Sequence, residues 1–250
     1  NYFDSQRFGS LIGTKEFIAK KLIKDKYEEA LMIHLTSTSR HFNKEKRNAR
    51  RFFKENWKDW DKCYELVKNT RRLTEEKRII GYLKNNPNDF VTAFKLIDQT
   101  VKEMFISAYQ SYIWNECLKR LLKNKISNDK LFEIEYQAGK LIFYEELPEE
   151  LRNIKLPMID SRLEIKDQEI KNIIDEVLKE EGIKQEELKV KKIKNIFFKA
   201  RDRSIIVFPE DLDLVGINND ELNKNKKKIT ILFSLDKGSY ATLIIKRLTY

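Results

Sequence analysis

Across residues 14–123 apolar side chains return every three or four positions. The clearest run, Val101, Met104, Phe105, Ala108, Tyr109 and Tyr112, lies along one helical face. Such a stripe must be covered by other elements, so this part of the chain is expected to fold as packed helices. The pattern then changes. Residues 132–144 alternate as strands do, Pro148 and Pro157 punctuate the next stretch, and residues 167–181 read as a helix stopped by Gly182. Ile, Phe and Val concentrate at 192–199, 204–208 and 228–235, which are expected to be strands. Asp236-Lys237-Gly238 reads as a turn. Ser239 is expected to cap a short helix to Arg247, an edge strand being the alternative.

Seven glycines and four prolines leave no room for a long flexible linker, and no internal repeat is present. The 250 residues, 41% of them hydrophobic, are enough to bury a core as one large or two small domains. Lys and Arg number 50 against 40 Asp and Glu, a net charge of +10 that favours a polyanionic partner, although a chain with 36% charged residues can carry a lysine-rich surface for other reasons. The two cysteines, Cys63 and Cys117, form no disulfide framework and read as buried thiols in a reducing cytoplasm. His34 and His41 are the only histidines and lack a nearby cysteine pair, so no metal is expected. No apolar run approaches the length of a membrane span.

One positive stripe is spaced for a helix: Arg47, Arg51, Lys54 and Lys58, opposite Ala49, Phe53, Trp57 and Trp60. A phosphate-tracking helix has this pattern, and so does any solvated amphipathic helix. The lysines at 189, 191, 192 and 194 and at 224, 226, 227 and 228 are similar cases. The acidic stretches at 145–150 and 186–187 are expected to face away from a polyanionic partner.

The first nine residues, Asn1-Tyr2-Phe3-Asp4-Ser5-Gln6-Arg7-Phe8-Gly9, set aromatics, amides and an arginine beside a glycine in a pattern that packing alone does not require and that looks like a nucleobase site. They resemble the N-Y-F-G-x-Q-R-F-G signature of the TruD family, the D-type tRNA pseudouridine synthases, with Asp4 in place of a glycine. Ser107-Ala108-Tyr109-Gln110-Ser111-Tyr112-Ile113-Trp114-Asn115 is similar to the family's A-Y-Q-S helix, and Lys237-Gly238-Ser239-Tyr240-Ala241-Thr242 to its K-G-S-Y-A-T segment. The three occur in family order and span essentially the whole chain.

The resemblance implies an α+β fold: part of a pseudouridine synthase catalytic domain with a mixed or antiparallel sheet, at 1–24 and 190–250, interrupted by a mainly helical insertion at 25–189. It implies cofactor-free isomerisation of a uridine in tRNA, typically uridine 13, by a cytoplasmic enzyme expected to be a monomer. The family's nucleophilic aspartate lies in a G-x-K-D-x-x-A segment before the N-Y-F signature. Here the signature begins at residue 1, so the chain is expected to lack that residue, to be inactive alone and to need an N-terminal segment of the same protein. Lys24-Asp25 does not substitute, since it comes after the signature and has Leu22 and Glu28 where glycine and alanine belong.

By the same resemblance Phe3 faces the target base and is the expected stacking platform, while Asn1 positions the nucleophile's loop or the uracil edge. Gln6 and Arg7 hold the signature loop or a phosphate, for which arginine's planar fork is suited. Lys246, at a position where the family commonly has arginine, supplies a cation for the catalytic aspartate. Ser239 and Tyr240 support the site. Arg47, Arg51, Lys54 and Lys58 are the expected RNA contacts. The alternative reading is a non-catalytic RNA-binding protein that keeps the fold.

Overall fold

The computed structural model describes residues 1–11, 13–39 and 41–249. After a 3₁₀ segment at Ser5–Leu11 the chain forms a run of helices: α1 (Ile18–Ile23), α2 (Tyr27–Thr36), α3 (Lys44–Glu55), α4 (Trp60–Val67), α5 (Thr74–Asn85), α6 (Phe90–Lys95) and α7 (Gln99–Lys125). Side-chain caps start several of them. Asn43, Asp59, Asp89 and Asp98 each accept from a backbone N–H in the first turn of α3, α4, α6 and α7. At 27 residues, α7 is the longest, about 40 Å at 1.5 Å per residue. Its buried side chains include Phe105, Tyr109, Ile113, Trp114, Leu118 and Leu121, and it packs against α1, the 3₁₀ segment and elements of the second half of the chain.

That half contains the hairpin β1 (Leu131–Tyr136) and β2 (Gly139–Tyr144), then β3 (Lys155–Met158), α8 (Gln168–Glu180), β4 (Arg201–Ser204), β5 (Glu210–Asn219), β6 (Lys227–Ser234) and α9 (Ala241–Leu248). The strands pair as three two-stranded antiparallel ribbons, β1–β2, β3–β4 and β5–β6. The β3–β4 register, from Lys155 opposite Ser204 to Met158 opposite Arg201, carries the chain after residue 200 back beside α7. Gly182, at φ 63°, ends α8 as expected.

Several sequence expectations are corrected. Residues 192–199 form no strand. Ile193, Ile196 and Phe198 are buried, but Gln110 of α7 binds the Lys199 carbonyl, so side chains rather than a ladder fix this segment. Of 204–208 only Ser204 belongs to a strand. Tyr240, not Ser239, is the residue before α9, and no side chain caps that helix. The stripe of four cations is broken as well. α3 ends at Glu55, Asn56 turns its amide onto the Phe52 carbonyl, and Lys58 lies outside the helix at φ 75° with its ammonium on Glu28 at 2.8 Å.

β5–β6 stands apart. Residues an odd number apart on a strand face opposite ways, yet Ile229 and Leu232 of β6 are 63% and 62% exposed, and Leu212, Leu214, Val215 and Ile217 of the bulged β5 are exposed too. An apolar ribbon wet on both faces is a surface suited to covering by further polypeptide.

Candidate active site

The three sequence segments meet at Phe3. Asn115 of α7 reads the Phe3 peptide from both sides, accepting from its N–H at 2.9 Å and donating to its C=O at 2.8 Å, all of it buried. One turn earlier, Gln110 and Ser111 face the same region, and Gln110 donates to the carbonyls of Ile159 and Lys199 at 2.8 and 3.0 Å. Spacing of four along one helix puts Gln110 above Trp114 and Ser111 above Asn115. Trp114 meets the Phe3 ring edge-on at 5.6 Å and donates to the Leu156 carbonyl, tying β3 to the same point.

The third segment arrives through Arg203 of β4, a residue that belongs to none of the sequence motifs. Its guanidinium donates to the Asn1 carbonyl (2.9 Å), the Asn1 Oδ1 (2.6 Å) and the Gly238 carbonyl (3.0 Å). Its Cζ lies 4.2 Å from the Phe3 ring centroid and 5.4 Å from that of Trp114. Gly238, at φ 93°, adopts the left-handed turn that lets its carbonyl point inward. Tyr240 comes next with its ring 6.2 Å from Phe3, and the Ser239 hydroxyl lies 3.4 Å from Asn1 Oδ1. Asn1 itself donates to the carbonyls of Ser204 and Ile205. Burial is the main cause lowering the Arg203 pKa to about 10, with Arg201 and Arg7 adding repulsion and Tyr240 opposing it. A crowd of cations around one ring is a place where an anion is welcome.

Phe3 is 0% exposed. One guanidinium on it is Arg203, held by three hydrogen bonds; the other is Arg7, 5.2 Å from the ring centroid, whose side chain makes no hydrogen bond or ion pair among the described residues. Gln6 is exposed and makes no such contact either.

Lys246 has a partner inside the chain. Its ammonium lies 2.6 Å from Asp4 Oδ1 and 3.2 Å from the Glu135 carbonyl, and the Thr242 hydroxyl donates to Asp4 Oδ2 at 2.5 Å. The carboxylate that Lys246 meets, expected to be the nucleophile, is here Asp4. Asp4, in place of the signature's glycine, and Lys246, at the C-terminal position expected to hold arginine, are ion-paired. Burial alone would raise the Asp4 pKa, but the hydrogen bonds from Lys246 and Thr242 outweigh it and hold the carboxyl below its ordinary 3.8. Its folded pKa is thus below the unfolded one, so the stabilisation is present above the unfolded value and is lost as pH falls through the folded value. We expect Asp4→Asn to be less stable than the parent at neutral pH, and the gap to begin narrowing as pH falls below about 4 and to close only below the folded value. Urea melts across that range read it directly; a gap that does not change with pH would contradict the assignment.

Asp25, the carboxylate of the Lys24-Asp25 pair, sits in the turn after α1 beside Lys191 and Lys192 at 3.8 and 3.9 Å, among none of the groups that hold Phe3. Burial raises the thiol of Cys63 to about 11 and pushes that of Cys117 higher still, which leaves neither a nucleophile. Among the described residues no group of three or more His, Cys, Asp or Glu side chains gathers to hold a metal, and no helix is long and apolar enough to cross a membrane.

The expected RNA contacts divide. Arg51 and Lys54 are exposed on α3 and line a cavity of about 290 Å³ with Gly13, Thr14 and the end of α2. Arg47 is half-buried on the same helix, and none of the three is in an ion pair among the described residues. Lys58 is spent on Glu28.

Comparison with known proteins bears on the whole chain. A family profile described as tRNA pseudouridine synthase D (TruD) matches residues 1–248. A probable tRNA pseudouridine synthase D 2 of Methanocaldococcus jannaschii is 42% identical over 253 residues, which cover 99% of this chain and 59% of that protein. A probable tRNA pseudouridine synthase D 1 of Methanococcus maripaludis is 42% identical over 251 residues, 99% of this chain and 64% of that protein. The crystal structure of a putative TruD from Methanosarcina mazei superposes with a TM-score of 0.74 at 26% identity over 98% of this chain and 60% of that one. The chain thus spans about three fifths of the length of these relatives.

Proposed function

Because the chain belongs to the tRNA pseudouridine synthase D family, we propose that the protein containing it converts a uridine of tRNA, position 13, to pseudouridine without a cofactor. The reaction breaks the C1′–N1 bond, turns the uracil and joins C1′ to C5, while a proton leaves C5 and one is gained at N1. Atoms and electrons balance within the substrate, so the protein must extract the base, hold it and supply a nucleophile.

In this reading Phe3 stacks on the extruded uracil, returning ~1–3 kcal/mol toward unstacking. Arg7 is the guanidinium that swings aside, since among the described residues no hydrogen bond or ion pair adds to its contact with the Phe3 ring, whereas Arg203, bound by three hydrogen bonds, stays and fixes Asn1 and the Gly238 turn. Asn1, Ser239 and Tyr240 form the wall around the base. The nucleophilic aspartate comes from outside these 250 residues; Asp4 is buried with one carboxylate oxygen ion-paired to Lys246 and the other bound by the Thr242 hydroxyl, so it is poorly placed to attack anything. Residues 1–24 and 190–250 are assigned to the catalytic domain and 25–189 to the family insertion, which joins the first directly through Asn115 on Phe3 and the β3–β4 pair; β5–β6 offers its edges and apolar sides to the rest of the catalytic domain. The enzyme acts as a cytoplasmic monomer.

The observation that carries this reading is the double hydrogen bond of Asn115 to the Phe3 peptide. It joins the signature loop to the A-Y-Q-S helix, which chance resemblance of two segments would not do.

Arg51 and Lys54 are proposed to track tRNA phosphates. Replacing both with alanine is expected to weaken tRNA binding and flatten the dependence of log K on log salt by about 1.4–1.8, from ~0.7–0.9 per lost contact. Filter binding at several salt concentrations measures this; an unchanged slope would remove α3 from the RNA face.

A further inference from the structure

Arg7, which covers the Phe3 ring, also lines a cavity of about 290 Å³ together with Gln110, Ser111, Phe197, Lys199 and Arg201, with Glu103 at its wall. That volume is close to the ~300 Å³ at which small-molecule sites begin. Among the described residues, two buried polar atoms of the lining have no hydrogen-bond partner: the hydroxyl of Ser111, which is 0% exposed, and the Nε of Arg7. A buried polar group left unmet is costly, so the cavity is built to receive polar groups. Gln110 has committed its amide hydrogens to Ile159 and Lys199, which leaves its oxygen as acceptor.

Phe197 is 59% exposed although its neighbours Ile196 and Phe198 are buried. Those two anchors display the ring on a fixed backbone, helped by Asn195 in the left-handed region at φ 64° and by Gln99, which donates to the Asn195 carbonyl. Lys199 and Arg201 are exposed cations without an ion pair among the described residues, and Arg201 shares its strand face with Arg203. Glu103, the one carboxylate in the lining, binds Gln99. An aromatic plate, two cations outside any ion pair among the described residues (the Arg201 Nε donates to Met158 Sδ at 3.2 Å), a hydroxyl, an amide acceptor and a carboxylate able to accept from a ribose hydroxyl or an exocyclic amine match the parts of one ribonucleotide, and exceed what a lone phosphate needs.

We propose that this cavity is a subsite for a single-stranded ribonucleotide flanking the target uridine, its base on Phe197 and its phosphate on Lys199 and Arg201. The inference rests on the function proposed above. Arg7 links the two places, because the same side chain lines the cavity and covers Phe3. A phosphate that draws Arg7 into the cavity uncovers the ring.

The test is fluorescence anisotropy with a labelled single-stranded oligoribonucleotide and the complete protein, titrated at several salt concentrations. Phe197→Ala is expected to lose about tenfold in affinity, within the roughly 5- to 150-fold range of one stacked base, at an unchanged salt slope. The double variant Lys199→Ala/Arg201→Ala is expected to flatten the slope by about 1.4, from ~0.7 per cation on a single strand. Lys171→Ala/Lys179→Ala, two exposed lysines of α8, is the control and should change neither. All substituted side chains are exposed, so the variants should melt like the parent. If the parent binds RNA while the Phe197 and Lys199/Arg201 variants match the control, the subsite is refuted and the proposed function stands. If the parent does not bind RNA at all, both fall together.

Discussion

Phe3→Leu in the complete protein is expected to bind tRNA nearly as well as the parent and to form pseudouridine about 5- to 150-fold more slowly, the loss of one stacking platform worth ~1–3 kcal/mol. Leucine is the informative replacement. Phe3 is fully buried between Trp114, Tyr240 and two arginines, and truncation to alanine would cost about 3–5 kcal/mol of stability through the cavity it leaves. Leucine keeps most of the volume and removes only the ring. Single-turnover kinetics beside tRNA binding separates the two effects; turnover at the parental rate would take Phe3 out of the site.

The second large effect lies at Asn115. Asn115→Leu fills the same space but strands the N–H and C=O of Phe3, two buried groups at about 1–3 kcal/mol each. A loss of roughly 2–6 kcal/mol is expected, which for a chain of this length lowers the melting temperature by roughly 5–20 °C. Thermal melting followed by circular dichroism measures it. A variant that melts within about 2 °C of the parent, about 1 kcal/mol or less on the same scale, would mean that the loop is held by something other than this amide.

How far the sequence foretold this arrangement depends on the range of the interaction. α7 was readable because its apolar periodicity is local, and so were the β1–β2 hairpin, α8 and most of β6. The three motifs were readable because each is a short run. What could not be read is how they touch. Lys246 meets Asp4 across 242 positions and Arg203 meets Asn1 across 202, distances at which local pattern says nothing. Arg203 lies in no recognised motif; the one available signal was its alternation with Arg201 ahead of buried Ile205, which places two cations on one strand face.

The misplaced elements fail for the same reason. Residues 192–199 have strand-like composition, but a side-chain amide from α7 takes the carbonyl that a ladder would need. The cation stripe looked continuous to Lys58 because periodicity is blind to Asn56 folding back on its own helix. β5 was missed since its sequence mixes acidic and apolar residues and its sides stay exposed in this chain.

In the proposed function the meeting point of Asn1, Phe3, Arg203 and Tyr240 is a uridine-isomerising site completed by residues beyond this chain. Its most direct test is position-resolved detection of pseudouridine in unmodified tRNA after incubation with the complete protein and, in parallel, with residues 1–250. The predicted result is pseudouridine with the complete protein and none with residues 1–250. Bound but unmodified tRNA with the complete protein would contradict it and favour a non-catalytic RNA-binding role, while pseudouridine made by residues 1–250 would contradict it by placing the nucleophile within this chain.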